Sequence, residues 1–146
     1  EFVHTSNTEV THLPAKKYDQ IVTPASGVWF ADYVNDNATV VMYDYNQKSL
    51  DYWKEYAPAI KNVRYRFVLC DLLGKDNLAE HILPAIPNTL VHLSNIFNYE
   101  GTNFFYSLEY RKYKEAELLS ALPASAEVYF NLRASIFDTV PTWHLT

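Results

Sequence analysis

Two nearly continuous apolar runs, Gln20–Thr23 and Ala38–Tyr43, flank one short amphipathic segment. This arrangement constrains the fold more than any other feature of the chain. Strands that alternate apolar and polar residues can face water on one side, but near-continuous apolar strands must be covered on both. Parallel neighbours joined through a helix supply that cover. Tyr18–Asn46 therefore reads as a β-α-β unit, with the turn Thr23-Pro24-Ala25-Ser26-Gly27 after the first strand. A short helix is expected through Val28, Trp29, Phe30 and Tyr33, and the second strand delivers Asp44.

The same alternation continues. Leu50, Trp53 and Ala57 share one face of a helix over Gln47–Ala59, with Ser49 as the expected N-cap and Pro58 as its stop. A third strand is predicted over Arg64–Cys70, ending at Asp71. A short helix over Asn77–Ile82 precedes a fourth strand at Thr89–Leu93, which ends at Ser94-Asn95. The longest helix is predicted over Thr102–Leu122. Its expected inner face is Phe105, Leu108, Leu118, Leu119 and Leu122, with Glu109, Arg111, Lys112, Lys114, Glu115 and Glu117 outside. A fifth strand follows at Ala126–Leu132. Strands alternating with helices imply an α/β, Rossmann-like three-layer sandwich. The expected sheet is five-stranded and mostly parallel, in the order 3-2-1-4-5. The domain spans residues 18–132, with an N-terminal arm at 1–17 and a C-terminal tail at 133–146.

Composition narrows the function classes. The 146 residues are 49% hydrophobic, enough for one core. A net charge of −5 offers no basic surface to displace counterions, so a grip on bulk nucleic acid is not expected. No apolar run approaches the roughly 20 residues that span a bilayer. Cys70, the one cysteine, sits in an apolar run and reads as a buried inert thiol. A cytoplasmic, reducing setting is the expectation. The sequence begins at Glu1, which suits a processed product or a piece of a longer chain, and other domains of such a chain are expected partners. His92, inside the fourth strand, reads as a satisfied core histidine. No spacing of His, Cys and carboxylates completes a metal site.

Polar residues gather at the carboxyl ends of the strands, where open α/β sheets bind ligands. The set is Thr23, Ser26 and Gly27; Asp44 and Asn46; Asp71; and Ser94 and Asn95. A carboxylate with two acceptor oxygens suits the two donors of a ribose diol, which fits Asp44. Asp71 suits an exocyclic amine. Gly27 lets a backbone approach a ligand closely.

With VVMYDYNQKSL at residues 40–50, this arrangement resembles the class I S-adenosylmethionine-dependent methyltransferase fold. The resemblance covers Tyr18–Leu132. It implies S-adenosyl-L-methionine as cofactor, with Thr23–Gly27 cradling the methionine part, Asp44 on the ribose and Asp71 at the adenine. It also implies that Ser94–Phe97 face the methyl acceptor, with Asn95 orienting an acceptor amine and Phe97 or Tyr99 flanking it. Trp29, Tyr45 and Tyr99 are candidate aromatic neighbours of the sulfonium. The chain departs from the family in its first turn, which holds a single glycine, and in a sheet that ends at five strands. The implied function is methyl transfer, and the alternative is a catalytically inactive binding or assembly module of a larger protein.

Overall fold

The computed structural model describes residues 16–93, 97 and 104–130, without the side chain of Phe130. Its strands are β1 (Tyr18–Pro24), β2 (Val34–Asp44), β3 (Arg64–Leu69), β4 (Thr89–Leu93) and β5 (Glu127–Phe130). They form one sheet in the order β3-β2-β1-β4-β5, and every neighbouring pair is parallel. This is the Rossmann-like α/β sheet that the alternating pattern predicts.

Successive side chains along each strand go to opposite faces, and the two faces hold separate cores. On one face Ile21, Val40, Met42, Leu90 and Tyr129 pack under the 3₁₀ turn η1 (Trp29–Asp32) and helix α1 (Gln47–Ile60). On the other, Val22, Val41, Tyr43, Val68, Val91 and Val128 pack under the 3₁₀ turn η2 (Leu78–His81) and helix α2 (Leu108–Ala121). The first two crossovers thus cover one face and the last two cover the other. Right-handed crossovers make that switch necessary when the strand order reverses, and the reversal falls between β1 and β4.

The first crossover differs from the expected helix. β2 begins at Val34 rather than Ala38, and Val34 pairs with Tyr18. Residues 25–33 must therefore retrace the 7 residues of β1, roughly 23 Å at 3.3 Å each. An α-helix over that stretch would cover only about 14 Å. The chain instead crosses through bends and one 3₁₀ turn, which buries Trp29 and Phe30. The early start of β2 also shifts the register between Tyr18 and Gln20.

Helix α1 starts one turn earlier than Ser49 implies. The Asn46 side chain accepts from Lys48 N at 2.9 Å and is the N-cap. The helix also continues past Pro58 to Ile60. Proline sits in its last turn, where the remaining carbonyls need partners from outside the helix. The Tyr65 hydroxyl donates to Lys61 O at 2.6 Å and stands 3.2 Å from Ala57 O, which accepts from Lys61 N at 3.0 Å.

Helix α2 keeps part of its predicted inner face, with Leu118 buried and Leu119 and Leu122 packed against the core, but it also buries three charged residues expected outside. Ser107 is its N-cap, accepting from Tyr110 N at 3.2 Å; Thr102 lies outside the described residues. Its buried residues are Arg111, Lys114, Glu115 and Leu118. Phe105 and Leu108, expected inside, are exposed at 77% and 44%. The physical reason is the partner of the helix. Its inner face meets main-chain carbonyls of two loops, and long cationic side chains satisfy these where leucine cannot.

At the opposite end of the sheet the buried Gln20 ties β1 to the entry of β4. Its amide donates to Leu83 O at 3.0 Å and Thr89 Oγ1 at 2.9 Å, and its oxygen accepts from Leu83 N at 3.0 Å. Polar groups this deep are tolerated only when so paired.

Candidate ligand site at the carboxyl ends of the strands

Main-chain hydrogen bonds set the level of the site. Ala25 N donates to Tyr43 O at 2.8 Å, carrying the β1–β2 ladder one residue beyond β1. Cys70 N donates to Asp44 O at 2.9 Å, which does the same for β2–β3. The turn after β1, Asp44, and Cys70-Asp71 therefore stand side by side at one level of the sheet edge. Three of the four expected strand ends are brought together. Ser94 and Asn95, the fourth, lie outside the described residues, as does Tyr99.

The turn is closed by a bond from Ser26 N to Pro24 O at 2.8 Å. Gly27 follows with φ at 144°, a region that side-chain-bearing residues rarely adopt. The one glycine of the turn thus occupies the position whose backbone requires it.

Asp44 is half-buried, and its Oδ1 accepts from Asn46 N at 2.8 Å. Burial pushes its carboxyl above the usual carboxylate range, partly offset by hydrogen bonds from the Asn46 and Tyr45 backbone. Asp71 makes the same local turn, its Oδ1 accepting from Leu73 N at 3.0 Å. Its own N–H donates to Asp76 Oδ2 at 3.0 Å. Gly74 lets this acid tuck in, since a Cβ there would stand 3.0 Å from Asp71 Oδ2. Aspartate favours such turns, in which its side chain accepts from the backbone two residues on. Each acid therefore uses one oxygen to shape its own loop. The Asn46 side chain, occupied as the α1 cap, holds the helix start, and the Asn46 backbone N–H helps hold Asp44. Asp76 was not singled out from the sequence; an acid five residues after Asp71 in a loop carries no period to reveal it.

Thr23 lies deeper than the other candidates. It is fully buried and accepts from Trp29 Nε1 at 3.0 Å. An indole N–H can only donate, so the Thr23 proton is directed to Pro24 O at 3.3 Å or His92 Nδ1 at 3.2 Å. His92 is fully buried between the Trp29 ring, 5.0 Å away, and the Tyr129 ring, 5.3 Å away. Burial pulls its pKa down to about 3, so the imidazole is neutral at ordinary pH. These residues form the floor beneath the turn. Their hydroxyl and indole groups point to one another rather than to a ligand. Trp29, a candidate neighbour of a sulfonium, belongs to this floor, whereas Tyr45, next to Asp44, is 77% exposed.

Phe97 is also fully buried, packed within the core under α2, and its carbonyl accepts from Arg111 Nη1 at 3.1 Å. Cys70 is buried beside Asp44. Burial, reinforced by the nearby Asp76 and Asp71 carboxylates, pushes its thiol up to about 12, in keeping with an inert group. Among the described residues no three His, Cys, Asp or Glu are grouped to hold a metal ion, and no helix is long and apolar enough to cross a membrane.

No family model matches the sequence, and no curated protein matches it. Among solved structures the chain is similar to an rRNA methylase from Streptococcus thermophilus. The two are 14% identical with a TM-score of 0.45, over 89% of this chain and 69% of that one. Nothing about the ligand of this chain follows from a likeness at that level.

The chemistry available at the strand ends is that of recognition. Two carboxylates offer acceptors to a ligand rich in donors, and the turn between Pro24 and Val28 brings backbone close to it. The histidine nearest the crevice is enclosed and neutral, which leaves the carboxylates of Asp44 and Asp71 as the titratable groups placed there among the described residues.

Proposed function

We propose that this domain binds an adenosyl ligand of the S-adenosylmethionine type across the carboxyl edge of the sheet and serves methyl transfer. The observation that carries this reading is the shared level of the Ala25–Gly27 turn, Asp44 and Asp71, beside the point where the strand order reverses. A nucleoside laid along that edge meets an acid at each position where it has donors. Asp44 accepts from the ribose diol and Asp71 from the adenine amine. Ser26 and Gly27 approach the amino-acid end. Ser94, Asn95 and Phe97 stay the candidates for the acceptor side, with buried Phe97 acting by packing.

S-adenosylmethionine, when bound, supplies an electrophilic methyl on a sulfonium. The protein's part is then alignment, because holding reactants in a near-attack geometry replaces much of the entropy of a bimolecular encounter. Asp44 and Asp71, each fixed by a bond to its own loop, suit that task. The net charge of −5 argues against an acceptor held through bulk phosphate contacts.

Calorimetry with S-adenosylmethionine and S-adenosylhomocysteine tests the reading. Wild type is expected to bind both. Asp44→Ala is expected to weaken binding about 100-fold, the loss of two hydrogen bonds to a charged acceptor. No heat at millimolar ligand would overturn the proposal. A second reading, an inactive module of the same fold, is favoured by one observation. The Thr23–Trp29–His92 floor fills the space under a turn with a single glycine. Binding of S-adenosylhomocysteine without methyl transfer to any offered amine, hydroxyl or nucleobase acceptor would support that module.

A further inference from the structure

Helix α2 buries charge where a covering helix ordinarily buries leucine. Arg111, Lys114 and Glu115 are 7%, 8% and 1% exposed. Lys114 Nζ donates to Gly74 O at 2.7 Å, and the Tyr110 hydroxyl donates to Leu73 O at 2.6 Å. Arg111 donates through Nη1 to Phe97 O and through Nε to Tyr106 O, both at 3.1 Å. Leu73 and Gly74 belong to the loop that follows β3 and carries Asp71. Phe97 belongs to the segment that follows β4.

Burying an ammonium or a guanidinium is unfavourable unless its donors are satisfied. Apolar residues on α2 would cover Leu72, Leu73 and Phe97 without that difficulty. What a charged donor adds is direction, since it fixes where a carbonyl must stand. The consequence reaches Asp71 through short links. Gly74 N donates to Asp71 O, Leu73 N donates to Asp71 Oδ1, and Gly74 lies against the carboxylate itself. A displaced Gly74 displaces the acid.

We infer that α2 is a latch, in which Lys114, Tyr110 and Arg111 act as positioning residues that lock the Asp71 loop and Phe97 in one mutual register. Burial pulls the Lys114 ammonium down, but the Glu117 carboxylate at 2.9 Å more than offsets this and keeps the amine charged. The functional meaning of the latch rests on the adenosyl reading, in which Asp71 is the group being placed.

The test compares wild type with Lys114→Met, which keeps the stem and removes the ammonium. Tyr110→Phe is a milder second variant that deletes one hydroxyl, and Lys112→Met, on the exposed side of α2, is the control. Amide hydrogen exchange at Leu73 and Gly74 is read without ligand. The dissociation constant of S-adenosylhomocysteine is read at a temperature where each variant is folded. The latch predicts roughly tenfold faster exchange at both amides and a roughly tenfold weaker constant in Lys114→Met, about one hydrogen bond to a charged donor. Tyr110→Phe moves both in the same direction by less, and Lys112→Met moves neither. Unchanged exchange in both Lys114→Met and Tyr110→Phe overturns the latch, whether or not ligand binds. Faster exchange with an unchanged constant overturns the positioning role, because a merely structural helix lowers the melting temperature without touching affinity. Wild type that binds no S-adenosylhomocysteine overturns the adenosyl reading and the purpose assigned to the latch, while the exchange rates still decide whether the latch exists.

Discussion

Helices α1 and α2 are each 14 residues long, and each begins at a polar cap, Asn46 or Ser107. Their buried faces are nearly opposite in chemistry. α1 buries Leu50, Trp53 and Ala57 against the sheet, whereas α2 buries Arg111, Lys114 and Glu115 alongside Leu118. The difference follows from what each helix covers. α1 lies over strand side chains, and the match is apolar on apolar. α2 reaches the strand side chains through Leu118 and also meets the carbonyls of Leu73, Gly74 and Phe97, which accept from its Tyr110, Lys114 and Arg111 side chains. Hydrophobic periodicity finds the first kind of helix but only the C-terminal part of the second, where Leu118, Leu119 and Leu122 meet the core.

The largest expected effect falls on the α1 side. Trp53→Ala removes a buried aromatic from the first core and should destabilise the protein by about 3–5 kcal/mol in urea unfolding. A loss below about 1 kcal/mol would mean that α1 is not held by this face.

The pH response comes next, and it belongs to the same face. His92 is neutral in the fold with a pKa of about 3, against about 6.5 when unfolded. Between those values the unfolded chain binds the extra proton, so stability is full above pH 6.5 and falls as the pH drops towards 3. Unfolding at pH 7 and at pH 4.5 should differ by about 2–3 kcal/mol more in wild type than in His92→Phe. Equal pH responses would place His92 in contact with water.

The smallest of these effects is expected for α2. Arg111→Met keeps an apolar stem but leaves the carbonyls of Phe97 and Tyr106 without that donor. It should destabilise by about 1–3 kcal/mol. A neutral or stabilising Arg111→Met would erase the contrast between the helices, because the buried cation would then be replaceable by packing alone.

The sheet was legible in the sequence because buried parallel strands write themselves as apolar runs. β4 falls at Thr89–Leu93 as expected, and the order β3-β2-β1-β4-β5 follows from the alternation and the handedness of the crossovers. The early start of β2 was not legible. Val34-Asn35-Asp36-Asn37 is mostly polar and reads as a loop, but the Asn35 amide donates to Asp19 Oδ1 at 2.7 Å and Val34 is buried. At the strand ends, Asp44 and Asp71 stand out in the sequence because each acid directly follows an apolar run. Their local roles do not, since Asx turns depend on backbone angles. Thr23 was placed in the turn by its position, but its hydroxyl is drawn inward by Trp29 Nε1, a contact that sequence spacing does not announce.

The central claim is that the turn after β1, Asp44 and Asp71 form one ligand-binding edge. Amide chemical-shift mapping with S-adenosylhomocysteine tests it most directly. Shifts are expected at Ala25–Gly27, Asp44–Asn46 and Asp71–Leu73 together, with residues near Gln20 at the opposite end of the sheet unmoved. No shifts at millimolar ligand, or shifts that leave Asp44 and Asp71 untouched, would contradict it.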